Sequence, residues 1–138
     1  MVCRQVREPL LAVPDAPKFQ FADADFSSIE FEEANLSNSN ISGANFSNAN
    51  LKKSNFSSIW NVQGSRPNFQ GANLRESNLT NAGLTNVILV NAQLQNANLL
   101  QNAQLFSANL SDANLQNANS FGATLTNTKT MNADFSGA

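Results

Sequence analysis

The chain has 138 residues, room for one domain, and only 13% of them are charged, against roughly a quarter in an ordinary globular domain. Histidine and tyrosine are absent, and the formal net charge is −2. This balance supplies no field to gather nucleic acid or an anionic membrane, and it leaves no Ser-His or Cys-His pair to build a nucleophile from.

The first 18 residues stand apart from the rest. No apolar run reaches the 18 residues that a transmembrane helix needs. Leu10-Leu-Ala-Val13, behind a charged start, is too short for the core of a signal peptide. The chain as given therefore reads as soluble and cytoplasmic, and a presequence already removed would leave no trace. Cys3 is the single cysteine, so it has no internal disulfide partner. Arg4 and Arg7 lie near it, but a thiol in a tail is expected to be inert. Val2, Val6, Leu10 and Leu11 could form a short amphipathic helix ending before Pro14, although Pro9 argues against a continuous one. Residues 1–18 are expected to cap whatever follows.

From Phe19 onward the chain repeats every five residues. Bulky apolar residues, taken as the centre i of each unit, fall at Phe21, Phe26, Phe31, Leu36, Ile41, Phe46, Leu51 and Phe56. They resume at Phe69 and run through Leu74, Leu79, Leu84, Leu89, Leu94 and Leu99. After a one-residue slip they continue from Leu105 to Phe135, with Ser120 and Thr130 as the two polar centres. Position i−2 is Ala or Ser in 17 of the 22 units, and i−1 is usually Asn or Asp. Neither a 3.6-residue nor a strict two-residue period fits. Small-in, polar-out, large-in is a short extended segment, and the two polar residues after it make a corner. Each unit is thus one side and one turn, with i and i−2 facing inward. Constant sides and corners wind into a coil whose turns stack at about 4.8 Å. Asparagine suits such corners, and on neighbouring turns it can form amide ladders.

The pattern A(N/D)LXX, with Phe as the alternative centre, resembles the pentapeptide-repeat family. Ala34-Asn-Leu-Ser-Asn38, Ala44-Asn-Phe-Ser-Asn48, Ala72-Asn-Leu-Arg-Glu76 and Ala113-Asn-Leu-Gln-Asn117 carry the resemblance most cleanly. It implies an all-β fold, a right-handed quadrilateral β-helix with four units per coil. Over residues 19–138 that means about five coils, a rod roughly 25 Å long. Residues twenty apart then stack, placing Phe26 over Phe46, Phe31 over Leu51 and Leu36 over Phe56.

Two interruptions break the period. Phe56 and Phe69 are thirteen residues apart, three more than two repeats. Residues 57–68 are therefore either a projecting loop or two degenerate units with an insertion. Trp60 and Arg66 within this stretch, with Lys52 and Lys53 before it, make the most distinctive surface and the candidate protein-binding residues. The slip at Leu99-Leu100 predicts a bulge without function.

Catalytic residues, cofactors and metals are not expected. The acidic group Asp23, Asp25, Glu30, Glu32 and Glu33 is the one candidate for a metal, and it reads as a solvated face on different sides. Thr124 to Thr130 does not recur at twenty-residue spacing, which discounts a flat threonine array. The reading is a non-catalytic structural or protein-interaction scaffold with an unknown protein partner, no nucleic acid and no membrane. The C-terminal coil, ending inside a repeat, could pair end to end with a second copy. The alternative that the resemblance offers is a DNA mimic that binds a type II topoisomerase such as gyrase. A mimic needs acidic stripes approaching the charge density of a duplex, whereas the chain has 10 acids, mostly before residue 34.

Overall fold

A computed structural model describes residues 19–99 and 102–138. The expected helix and cap at 1–18, with Cys3, lie outside these residues, as do Leu100 and Gln101 at the slip.

The described chain is a coil with four sides, held by isolated parallel bridges between successive turns. Through residue 60 the bridged residues are twenty apart, as in Gln20 with Asn40 and Asn35 with Asn55. Across 61–66 the step becomes 23, as in Asn50 with Asn73, and across residues 100 and 101 it becomes 21, as in Gly83 with Gln104. The outward i−1 positions define the sides. The first carries Gln20, Asn40, Trp60, Gly83, Gln104 and Thr124, and the second Asp25, Asn45, Asn68, Ile88, Asn109 and Lys129. The third carries Glu30, Asn50, Asn73, Gln93, Asn114 and Asp134, and the fourth Asn35, Asn55, Asn78, Asn98 and Asn119.

Each unit solves the same backbone problem in the same way. The N–H of residue i+3 donates to the carbonyl of i, as from Ala44 to Ile41 at 3.0 Å, which closes a β-turn. Residue i+2 of that turn has positive φ in the regular units described, for example Asn38 at 58°, Asn48 at 56° and Asn91 at 57°. This is the signature of a type II turn, and it explains why Asn and Gly recur there. Between turns, the i N–H donates to the i−1 carbonyl of the next turn, as from Leu51 to Asn73 at 2.8 Å. The i−1 N–H returns a bond to the previous turn, as from Asn73 to Ala49 at 2.9 Å.

Asparagine at i−1 has a second task. Its Oδ1 accepts the N–H two residues on, as at Asn55 from Ser57 (3.0 Å), which stiffens the side as it enters the corner. Its Nδ2 donates down the column. Asn78 bonds Asn55 at 3.3 Å and Asn55 bonds Asn35 at 3.2 Å on the fourth side. Asn73 bonds Asn50 at 3.1 Å, and Asn50 bonds Glu30 at 2.8 Å, on the third.

The interior is filled as the period requires. Ala44, Ala72, Ala82, Ala103 and Ala108 at i−2 are fully buried, as are Phe46, Phe56, Leu94, Leu105 and Leu110 at i. Serines at i−2 keep their hydroxyls satisfied inside, as when Ser54 Oγ donates to the Phe31 carbonyl at 2.6 Å. The expected stacking of Phe26 on Phe46 is present, with ring centroids 5.0 Å apart, and Phe69 continues the stack at 4.8 Å. Phe56 meets both Phe46 and Phe69 edge-on, at 5.9 and 5.7 Å.

Candidate functional site

Residues 57–68 continue the coil. Phe56 and Ser58 end an ordinary unit, since the Ser58 N–H bonds the Thr80 carbonyl at 2.9 Å. The next unit starts at Ile59, which is buried in the i−2 position where Ala or Ser is usual. Trp60 then occupies i−1 on the first side. It bridges Asn40, with Trp60 N–H to Ser39 carbonyl and Ile41 N–H to Trp60 carbonyl both at 3.0 Å. On the other edge the Gly83 N–H reaches the Ile59 carbonyl at 2.8 Å.

The centre of this unit is Asn61 instead of a bulky apolar residue. A buried Ile at i−2 accompanies the missing centre. The Asn61 side chain turns to other work: its Nδ2 donates to the Thr85 carbonyl at 2.8 Å and to Ser65 Oγ at 3.2 Å. In the regular unit before it, the corresponding carbonyl, Thr80, takes a backbone N–H from Ser58. The three extra residues make a tight turn. Ser65 N–H donates to the Val62 carbonyl at 3.1 Å, and Gly64 at the third turn position has φ of 86°. The Val62 N–H is held by Ser42 Oγ at 2.8 Å. Pro67, buried at i−2, restarts the side, and its carbonyl takes the Ile88 N–H at 2.9 Å. No turn donor is needed there, so the missing proline N–H costs nothing.

Trp60 is half-buried, and its Nε1 is buried without a hydrogen-bond partner. Asn40, next to it in the column, is 8% exposed and binds Gln20 Oε1 and the Ser42 hydroxyl. Val62, at the adjacent corner, is 51% exposed.

The four candidate binding residues do not come together. Trp60 lies on the first side, and Arg66 is exposed at the end of the corner that leads to the second. Lys52 and Lys53 lie at the corner between the third and fourth sides, diagonally across the coil. There they pair with acids from the turns on either side: Lys53 Nζ with Glu33 Oε1 at 3.5 Å, and Lys52 Nζ with Glu76 Oε1 at 3.8 Å. Such exposed pairs contribute about 0–1 kcal/mol each. With Glu32 and Arg75 they form a corner of mixed sign. Nearness in sequence misled here, because in this coil spatial neighbours are twenty residues apart.

The acids of the first described turn are spread around it: Asp23 at the first corner, Asp25 on the second side, Glu30 on the third, and Glu32 and Glu33 at the next corner. Among the described residues, no group of three or more His, Cys, Asp or Glu could hold a metal ion. No helix among them is long and apolar enough to cross a membrane. The Ser27 backbone N–H holds Asp25 below its ordinary value of 3.8, with help from the Ser27 and Asn45 side chains. The Ser136 backbone N–H does the same for Asp134, aided by the Ser136 and Gln116 side chains. Both are the i−1 acceptor role of asparagine taken by a carboxylate.

The family profile for pentapeptide repeats matches residues 20–57 and 68–99 in eight copies, just over half of the chain. The chain belongs to the pentapeptide-repeat family. The profile leaves out the interruption around Trp60, and it ends before bridges such as Asn109 with Lys129, so the coil extends beyond the matched residues. Among solved structures, the chain is similar to the pentapeptide-repeat protein alr5209 from Nostoc Pcc 7120. The identity is 20%, 83% of this chain and 82% of that one are covered, and the TM-score is 0.55. It is also similar to the pentapeptide-repeat protein Rfr23 from the cyanobacterium Cyanothece 51142, at 28% identity, 86% and 84% coverage and a TM-score of 0.41. QnrB1, a plasmid-mediated fluoroquinolone resistance protein, matches at 18% identity, 87% and 66% coverage and a TM-score of 0.47. No curated protein matches the chain. Family membership makes the fold a right-handed quadrilateral β-helix. Proteins of the family are in general non-enzymatic structural or binding proteins.

Proposed function

We propose that this pentapeptide-repeat chain is a non-catalytic scaffold that meets a protein partner through its first side. The observation that carries this reading is Trp60. A large aromatic residue stands half-buried on a flat side, beside the exposed Val62, at the one place where three residues are inserted into the coil. The coil does not need a tryptophan at i−1, where Asn is the commonest residue. A Trp that keeps part of its surface open on a rigid frame is a favoured anchor for protein contacts. Arg66, at the adjoining corner, belongs to the same surface, whereas Lys52 and Lys53 do not.

A duplex mimic would need acids repeated along the rod. Between Glu33 and Glu76 there is no acidic residue, and that stretch carries Lys52, Lys53, Arg66 and Arg75. The scaffold reading is therefore preferred, and a supercoiling assay with gyrase is expected to show neither inhibition nor protection. The scaffold reading is tested by affinity capture with the intact chain and with Trp60→Ala and Arg66→Ala variants. A specific partner lost with Trp60→Ala supports the first side as the site, and a partner captured equally by both variants rejects it.

A further inference from the structure

The first side differs from the others in what it presents. Its outward column, Gln20 to Thr124, contains no charged residue, and of the charged residues described only Asp23 and Arg66 adjoin it, both at the corner that leads to the second side. Of the large apolar residues exposed among those described, Met131 (69%) lies away from it, between the second and third sides, and the others lie on it or at its corners. Val62 and Phe106 (44% exposed) share one corner, and Phe121 (80%) stands at the other. Within the column, the bulkiest side chain is next to the position that has none. Trp60 is followed by Gly83, and a Cβ built on Gly83 would have as its nearest neighbours Ile59 O, Trp60 Cα and Asn61 Oδ1. None of these atoms belongs to the indole, so along this column a half-buried indole stands beside a position without a side chain.

We infer that the first side docks against the first side of a second copy of this chain, with the two rods antiparallel. A two-fold axis lying in the plane of the side, across the rod between Trp60 and Gly83, puts the indole of each copy onto Gly83 of the other. This is the self-complementary arrangement that an isologous contact requires. The same operation sets Asn40 opposite Gln104 and Gln20 opposite Thr124, all uncharged groups that donate or accept hydrogen bonds. The other sides are poorer candidates. On the third, antiparallel pairing would oppose Glu30 and Asp134; the fourth presents an asparagine column without an apolar anchor. On the second it would pair Asp25 with Lys129, a contact that salt would weaken.

The footprint sets the strength. A side about 25 Å long and 10–15 Å wide is well below the roughly 800 Å² per partner of a stable interface, so the dimer is weak and reversible. The inference rests on the first side being the interaction surface and names its occupant.

The test is sedimentation velocity on the whole chain from about ten to several hundred micromolar, the range for a small interface. A reversible dimer is expected, equally populated at low and high salt, and the emission of the single tryptophan should shift to shorter wavelength over the same concentrations. Gln104→Arg places a charge on the exposed contact surface without touching the core and is expected to weaken dimerisation by at least about tenfold, with Trp60→Ala doing the same. Glu32→Gln, at the far corner, is expected to change nothing. A chain that stays monomeric throughout overturns the inference. So does a dimer that survives both Gln104→Arg and Trp60→Ala, which would point to the coil ends, or one that salt dissolves, which would point to the second side. A monomer leaves the scaffold reading standing, because that reading fails only if a captured partner ignores Trp60.

Discussion

Two neighbouring turns of the coil, residues 39–58 and 59–81, perform the same structural task with different residues. In the first, every unit has Ala or Ser at i−2, Asn at i−1 and Ile, Phe or Leu at i. In the second, the opening unit is Ile59-Trp60-Asn61, followed by a three-residue excursion, and yet the Asn40–Trp60 bridge is kept on one edge and the hydrogen bond from Gly83 N–H to the Ile59 carbonyl on the other. The comparison shows that the coil tolerates loss of its consensus when two functions are supplied otherwise. The buried volume moves from i to i−2, where Ile59 sits. The corner hydrogen bond moves from backbone to side chain, where Asn61 reaches Thr85. What the irregular unit adds is surface: Trp60 on the first side and the exposed Val62 at its corner.

The regular turn is most directly broken at its core. Phe46 is fully buried and packs against Phe26, Phe56 and Phe69. Phe46→Ala is expected to destabilise the chain by about 3–5 kcal/mol in urea unfolding. The irregular turn gives a sharper result. Ile59→Ala would restore the family consensus at i−2, yet it is expected to cost about 2–4 kcal/mol, because no bulky residue at 61 fills the interior there. If Ile59→Ala were neutral or stabilising, the compensation between positions 59 and 61 would be wrong.

The asparagine ladder predicts a smaller effect. Asn55→Asp keeps the acceptor for Ser57 but loses the donor to Asn35, and it sets a carboxylate against that Oδ1. A loss of about 1–2 kcal/mol at neutral pH is expected, partly recovered when the new carboxyl is protonated. At the corners the sign reverses. Lys53 holds φ of 58°, where a Cβ is costly, and its pair with Glu33 is exposed. Lys53→Gly is expected to stabilise by roughly 0.5–1 kcal/mol, seen as a raised Tm.

The smallest effect is in acid. The folded pKa of Asp25 lies below the unfolded one, so its contribution is present above the ordinary value of 3.8 and is lost as pH falls through the folded value. Asp25→Asn should flatten the acid limb of stability below that pH and leave neutral pH nearly unchanged.

Most of the fold was legible in the sequence because one constraint, the five-residue period, recurs often enough to fix the side, the corner and the inward residues. The left-handed position at i+2 was only half legible, since polar residues there signalled a corner without saying which residue bears the positive φ. Trp60 and Arg66 were singled out as breaks in the period, and they lie on the first side and at the end of the corner that follows it. Lys52 and Lys53 were grouped with them by nearness along the chain, which a coil converts into distance across it. Ile59 and Asn61 were missed because counting bulky centres skips a unit whose centre is polar. A large residue at i−2 was the available signal.

The claim that the coil runs unbroken beneath the insertion is tested most directly by hydrogen exchange at single amides. Trp60 N–H and Gly83 N–H bond neighbouring turns at 3.0 and 2.8 Å, as Asn40 and Asn55 do at 2.8 Å in regular units. Protection of Trp60 and Gly83 comparable to that of Asn40 and Asn55, beside fast exchange at Gln63 and Gly64, is the result predicted. Exchange at Trp60 and Gly83 as fast as at Gln63 would mean that residues 57–68 project as a loop and the coil is broken there.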